Sequence, residues 1–94
     1  MKLKVLSAAR EDLKSLRAHI AADNPRAAND VAMHLGRAIQ LIVSRPDIGR
    51  PTKRSGIREW SVSGLPYVIP YRVKDAEVEI LRIWHTRRKR PDEW

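Results

Sequence analysis

Between Tyr67 and Val73, apolar or aromatic side chains fill every second position: Tyr67, Ile69, Tyr71 and Val73. That period of two marks a strand with one buried face. Lys74-Asp75-Ala76-Glu77 supplies a polar turn, and Val78 to Trp84 returns as a second strand, with Val78, Ile80, Arg82 and Trp84 on one face. Upstream, Ile57 to Val62 forms a third strand, joined to the first by the turn residues of Ser63-Gly64-Leu65-Pro66. Connections this short predict an antiparallel meander, because parallel pairing needs a long crossover. Met1-Lys2-Leu3-Lys4-Val5-Leu6 also alternates and is expected in the same sheet.

The pattern changes after Leu6. Ala9, Leu13, Leu16 and Ile20 recur at spacings of four, three and four, the stripe of an amphipathic helix. Ser7 is expected to cap it, with Glu11 and Asp12 in its first turns, where the helix dipole favours acids. Asn24-Pro25 ends this helix and opens the next, Asn24 as N-cap and Pro25 at the first helical position. Ala28, Val31, Leu35, Ala38 and Ile42 form a second stripe, widened by Ala32, Ile39 and Val43, and Pro46 and Pro51 break the helix behind it. The two helices make a hairpin whose only available partner is the meander. The expected product is an α+β fold, one two-layer domain over residues 1–94, with Leu13, Leu16, Ile20, Leu35, Ile39 and Ile42 buried against Ile69, Tyr71 and Ile80. Pro70 fits a strand poorly, since it has no N–H to give. Either its position is a bulge or the strand is an edge there, and the alternation resuming at Tyr71 and Val73 favours the bulge.

Composition narrows the chemistry. Without Phe the core must be aliphatic, and without Cys there is neither disulfide nor thiolate. No apolar run reaches membrane-span length and no signal peptide opens the chain, so a cytoplasmic protein is expected. A net charge of +8 points to an anionic partner: nucleic acid, an acidic protein, or an acidic cleft in a nucleic-acid enzyme. The glycines are too scattered for a phosphate loop. His19 and His34 have no ligand-type spacing with each other or with His85, so neither a metal nor a cofactor is expected.

The strongest polar grouping is Arg58, Arg72, Arg82, His85, Arg87, Arg88, Lys89 and Arg90. Cleaving a phosphodiester without metal needs a proton donor, an acceptor, and cations over the developing charge. His85 is the candidate donor, Glu59 the acceptor, and Arg82 and Arg87 the cations. The plainer reading makes Arg87 to Arg90 a solvated charge run and His85 a half-buried strand end.

An opening strand runs directly into Ser7 and a helical hairpin, and Pro46-Asp47-Ile48-Gly49-Arg50 leads from the hairpin to the sheet. Arg58-Glu59 follows, then Gly64 with Tyr67 and Tyr71-Arg72-Val73, then Ile80-Leu81-Arg82-Ile83-Trp84-His85 with an arginine shortly after. In that order, over almost the whole chain, these residues resemble the RelE/ParE superfamily of bacterial toxin–antitoxin toxins, the ParE branch most closely. The resemblance implies a cytoplasmic growth inhibitor, of the kind found in plasmid stabilization systems, held inactive by a cognate antitoxin. The ParE branch implies DNA gyrase as target; the RelE branch implies messenger RNA on the ribosome. Ribonuclease members carry an arginine just after the aromatic that opens the central strand, where this chain has Val68. Arg72, four residues on, lies about 13 Å away at strand rise. Many of those members also end near a tyrosine that this chain lacks.

The expectation is therefore a non-catalytic gyrase inhibitor, with Arg58, Arg72, Arg82, His85, Arg87, Arg88 and Arg90 facing the target. Met33 and Leu41, off the centre of the wide second stripe, are expected to face the antitoxin with Arg37, Tyr67 and Trp84. The alternatives are an endoribonuclease using His85, Glu59, Arg82 and Arg87, and a non-toxic basic nucleic-acid-binding module.

Overall fold

The structure is a computed structural model and describes residues 1–87. Strand β1 (Lys2–Val5) leads into helices α1 (Ser7–Asp23) and α2 (Pro25–Ser44). The strands β2 (Arg50–Pro51), β3 (Ile57–Ser61), β4 (Tyr67–Lys74), β5 (Glu77–Ile80) and β6 (Trp84–His85) follow. They form one sheet in the order β1-β5-β4-β3-β2, with β6 also paired to β4. The expected meander is present as β3, β4 and β5, antiparallel throughout. The sheet as a whole is mixed, because β1 runs parallel to β5. The helical hairpin between β1 and the meander supplies the long crossover that parallel pairing requires. Asp75 and Ala76, both at positive φ, make the tight turn between β4 and β5.

Pro70 sits at a bulge, and the extra residue is on the opposing chain. Tyr71 pairs with Ile80 and Val68 with Trp84. Between those pairs lie Ile69 and Pro70 on one side but Leu81, Arg82 and Ile83 on the other. The Pro70 carbonyl still accepts from the Leu81 N–H at 2.9 Å, and the donor that proline lacks falls where the ladder is interrupted. The single strand expected from Val78 to Trp84 is thus two, β5 and β6. A one-residue offset reverses which face each later side chain takes. Trp84, expected beside Val78 and Ile80, shares the opposite face with Val68 instead.

The hairpin packs on the face carrying Tyr67, Ile69, Tyr71, Val78 and Ile80. Leu35, Ile39 and Ile42 of α2 are buried against it as expected, with Ala9 of α1. Leu13, Leu16 and Ile20 are only half-buried, because α1 lies mainly against α2. Asn24 caps α2, its side chain accepting from the Ala27 N–H at 3.1 Å, and Pro25 opens it. Ser7 is no cap: it is the first residue of α1, Leu6 holds the cap position, and no side-chain cap bond forms. Glu11 and Asp12 consequently fall beyond the first turn.

The loop from Pro46 to Arg50 is fastened by one hydroxyl. Tyr71 Oη donates to the Pro46 carbonyl at 2.7 Å and accepts from the Gly49 N–H at 2.8 Å. Burial raises the pKa of this phenol, so it stays protonated and keeps its donor. Arg58 adds bonds to the Gly49 carbonyl at 2.7 Å and the Asp47 carbonyl at 3.3 Å. A Cβ at Gly49 would lie 2.6 Å from Tyr71 Oη and 2.9 Å from the Glu59 carbonyl oxygen, so only glycine fits.

Two outcomes follow from this packing. Leu35→Ala is expected to cost about 2–5 kcal/mol in chemical denaturation, as for a fully buried leucine. Tyr71→Phe leaves the Gly49 N–H and the Pro46 carbonyl without their partner, so a loss of about 1–3 kcal/mol is expected. An unchanged unfolding midpoint in either variant would contradict the contacts described.

Candidate functional site

Sheet register decides whether His85 and Glu59 can work together. β3 and β4 keep one unbroken register from Ile57–Arg72 to Ser61–Val68, and the Val62 N–H then donates to the Tyr67 carbonyl at 3.0 Å. Glu59 is paired with Pro70, three residues from Tyr67, and Tyr67 is paired with His85. Side chains alternate along a strand and match across it, so Glu59 and His85 lie on opposite faces of the sheet. Glu59 is 5% exposed and accepts from Arg50 at 3.1 Å. His85 is on the helix side, its ring edge-on to Tyr67 with centroids 5.5 Å apart. Its Nδ1 accepts from the Arg87 N–H at 3.1 Å, which places the ring proton of the neutral form on Nε2. The candidate donor–acceptor pair of the endoribonuclease alternative is not brought together. Val68, where the ribonuclease pattern has its arginine, is 2% exposed.

Among the described residues, three of the four candidate arginines are occupied within the chain. Arg58 staples the Pro46–Arg50 loop. Arg72 bonds Glu79, and that hydrogen bond holds the Glu79 carboxyl below its usual pKa despite its burial. Arg82 grips Asp12 with two bonds, at 2.8 and 3.0 Å, and its guanidinium lies 5.2 Å from the Trp84 ring centre. Asp12 also accepts from the Ile83 N–H at 2.9 Å. This carboxylate therefore ties α1 to the segment between β5 and β6. Arg87 is exposed. Arg88, Lys89 and Arg90 lie outside the described residues.

The residues expected to face an antitoxin divide in two. Met33 is 63% exposed and Leu41 38%, and with Arg37 they mark the outer surface of α2 at successive spacings of four. Arg37 and Leu41 border a small groove, about 190 Å³, with His34 and Trp60. Trp84 is buried at 2% exposure and does not offer the surface expected of it, while Tyr67, at 8%, keeps only a small surface, which lines the cleft at the β6 end of the sheet. Trp84 was displaced by the register offset and Tyr67 joined the core.

A feature the sequence does not announce is an open cleft of about 600 Å³ between α1 and the β6 end of the sheet. Asp12, Ser15, Leu16 and His19 line it from α1, and Tyr67, Ile83, His85 and Arg87 from the other side. The helical spacing of the four α1 residues was visible; that β6 would meet them was not. Among the described residues no three His, Asp or Glu side chains gather as metal ligands, and no helix is long and apolar enough to cross a membrane.

Comparison with known proteins gives this geometry a context. Residues 3–90 match the family model described as the ParE toxin of the type II toxin–antitoxin system parDE. A Sinorhizobium fredii protein named toxin Y4kP is 35% identical over 79 residues, covering 84% of this chain and 81% of its own. Toxin RelE2 of Caulobacter vibrioides is 38% identical over 77 residues, 82% and 85% of the two chains. A solved structure of the chromosomal ParDE toxin–antitoxin system from P. aeruginosa superposes with a TM-score of 0.81 at 28% identity. That match covers 90% of this chain and 95% of the other. The α+β architecture and the sequence likeness agree, and the chain belongs to the ParE toxin family of type II toxin–antitoxin systems.

Proposed function

We propose that this toxin acts in the cytoplasm by poisoning DNA gyrase without catalysis, and that a cognate antitoxin holds it inactive. The observation that carries the non-catalytic reading is the placement of Glu59 and His85 on opposite faces. Cleaving RNA without metal requires a proton donor and acceptor within reach of one phosphodiester. Val68 also withholds the cation that the ribonuclease pattern supplies beside such a site. An inhibitor needs no proton transfer, only a surface that its target recognises. With Arg58, Arg72 and Arg82 occupied, that surface narrows to exposed Arg87 and the basic sequence that follows it.

Family membership and the ParDE structural match support an antitoxin partner. Met33, Arg37 and Leu41 offer it an exposed face on which apolar and basic residues alternate by helical turns, suited to an acidic amphipathic segment.

The deciding experiment is a gyrase supercoiling assay beside a ribosomal messenger-cleavage assay. Inhibited supercoiling with intact messenger is expected; cut messenger with unaffected gyrase would replace this reading with the endoribonuclease. Reversing charge at Arg87 and Arg88 together is expected to abolish growth inhibition, by setting like charge against an acidic or phosphate-bearing target. His85→Gln, shown first to fold, is expected to keep most of it, whereas losing a general acid costs about 100- to 10,000-fold. Antitoxin at about a hundred times its Kd is expected to stabilise the toxin by about 2.7 kcal/mol, seen as a raised Tm. Equal Tm values for the toxin alone and in that mixture would remove the antitoxin from the account.

A further inference from the structure

Apart from Arg87, the residues lining the cleft between α1 and β6 have no part in the function proposed so far. Its lining is mixed in a particular way. Leu16 and Ile83 give apolar surface, and the edge-on rings of Tyr67 and His85 form an aromatic wall. Ser15, His19 and Arg87 are exposed polar groups around it. The one carboxylate lining it, Asp12, is neutralised by Arg82 and holds the Ile83 N–H. What the cleft offers a ligand is therefore apolar contact flanked by hydrogen-bond donors and positive charge.

We infer that this cleft seats an anchor from the antitoxin, an apolar side chain flanked by a carboxylate, and that the anchor neutralises the toxin by covering Arg87. The inference rests on the reading that an antitoxin holds this chain inactive. About 600 Å³ is within the range of side-chain-sized and ligand-sized pockets and admits one or two residues of a peptide. Charge fixes the sign of the occupant: the chain carries +8, and the charged lining not already paired within the cleft is cationic. The apolar surface fixes its class. A phosphate backbone is gripped by exposed cations and gains little from Leu16 and Ile83, whereas a peptide anchor buries them. Arg87 belongs both to this lining and to the surface proposed to meet the target, so one occupant excludes the other.

The test is antitoxin affinity, measured by calorimetry on the full chain at physiological salt. Ser15→Glu/His19→Glu places two carboxylates on the α1 side of the cleft. Both positions are exposed and glutamate is a good helix former, so the fold should be unaffected, which the melting temperature checks. Lys14→Glu serves as control: it makes a charge change of the same total size on the same helix, but Lys14 is outside this cleft. A fall of at least about tenfold for the double variant, with little change for Lys14→Glu, is expected for like charge placed at a binding site. Affinity within about twofold of the unaltered chain, or an equal loss in Lys14→Glu, would overturn the inference while leaving the antitoxin itself in place. A double variant that keeps the antitoxin but loses a mixed-sequence oligonucleotide would assign the cleft to nucleic acid instead. Failure of the unaltered chain to bind antitoxin at all would remove the underlying reading as well.

Discussion

The missing N–H of Pro70 shapes the functional end of this molecule. A proline inside a strand must meet the place where its ladder is interrupted, and here the facing chain carries the extra residue. Had the register of Tyr71 with Ile80 continued, Tyr67 would oppose Trp84, and His85 would fall on the face of Glu59. The single added residue reverses both. Trp84 is buried beside Val68, and His85 turns to the helices. A backbone rule at one residue thereby separates the two side chains that the endoribonuclease alternative would have paired.

The same interruption accounts for the fate of Arg82. Released from regular pairing, the segment between β5 and β6 is held by a side chain from another layer. Asp12 takes the Arg82 guanidinium in two bonds and the Ile83 N–H in a third. Removing either partner of such a pair would leave a poorly solvated charge, so it fixes geometry whatever its net energetic contribution. Arg58 and Arg72 are likewise bound, one to loop carbonyls and one to Glu79. A chain of net charge +8 thus commits several central cations to its own architecture. The cation this leaves exposed beside β6 is Arg87.

Much of the fold was legible because it rests on local, periodic signals. The α2 stripe, the Asn24-Pro25 junction and the three-stranded meander all follow from spacing and turn chemistry. Pro70 announced a bulge, but nothing local said which chain would carry the extra residue. The face of Trp84 was therefore misassigned. The tight sequence from Leu6 to Ser7 gave no way to place the cap to within a residue, and Leu6 holds it. For the site, sequence supplied the candidates but not their company. Tyr67 lies on the face expected to be buried and joined the core, which leaves little of it for a partner, while His19, set aside for want of ligand-type spacing, lines the same cleft as His85. Such meetings depend on tertiary register, which a period of two or 3.6 does not encode.

The proposed reading, binding rather than catalysis, fits the helix side of the sheet by the same accounting of partners. His85 retains Nε2 as a donor, but a reaction there would also need a base. The carboxylate lining its cleft is Asp12, which already serves Arg82 and Ile83. Recruiting it to proton transfer would break the link that holds β6 beside α1, and His85 would lose the position that made the pairing useful. A binding surface carries no such conflict, because Asp12 can hold the cleft together while Arg87 and the aromatic wall meet a partner. The architecture is self-consistent as a recognition surface whose rigidity comes from the charges it keeps for itself.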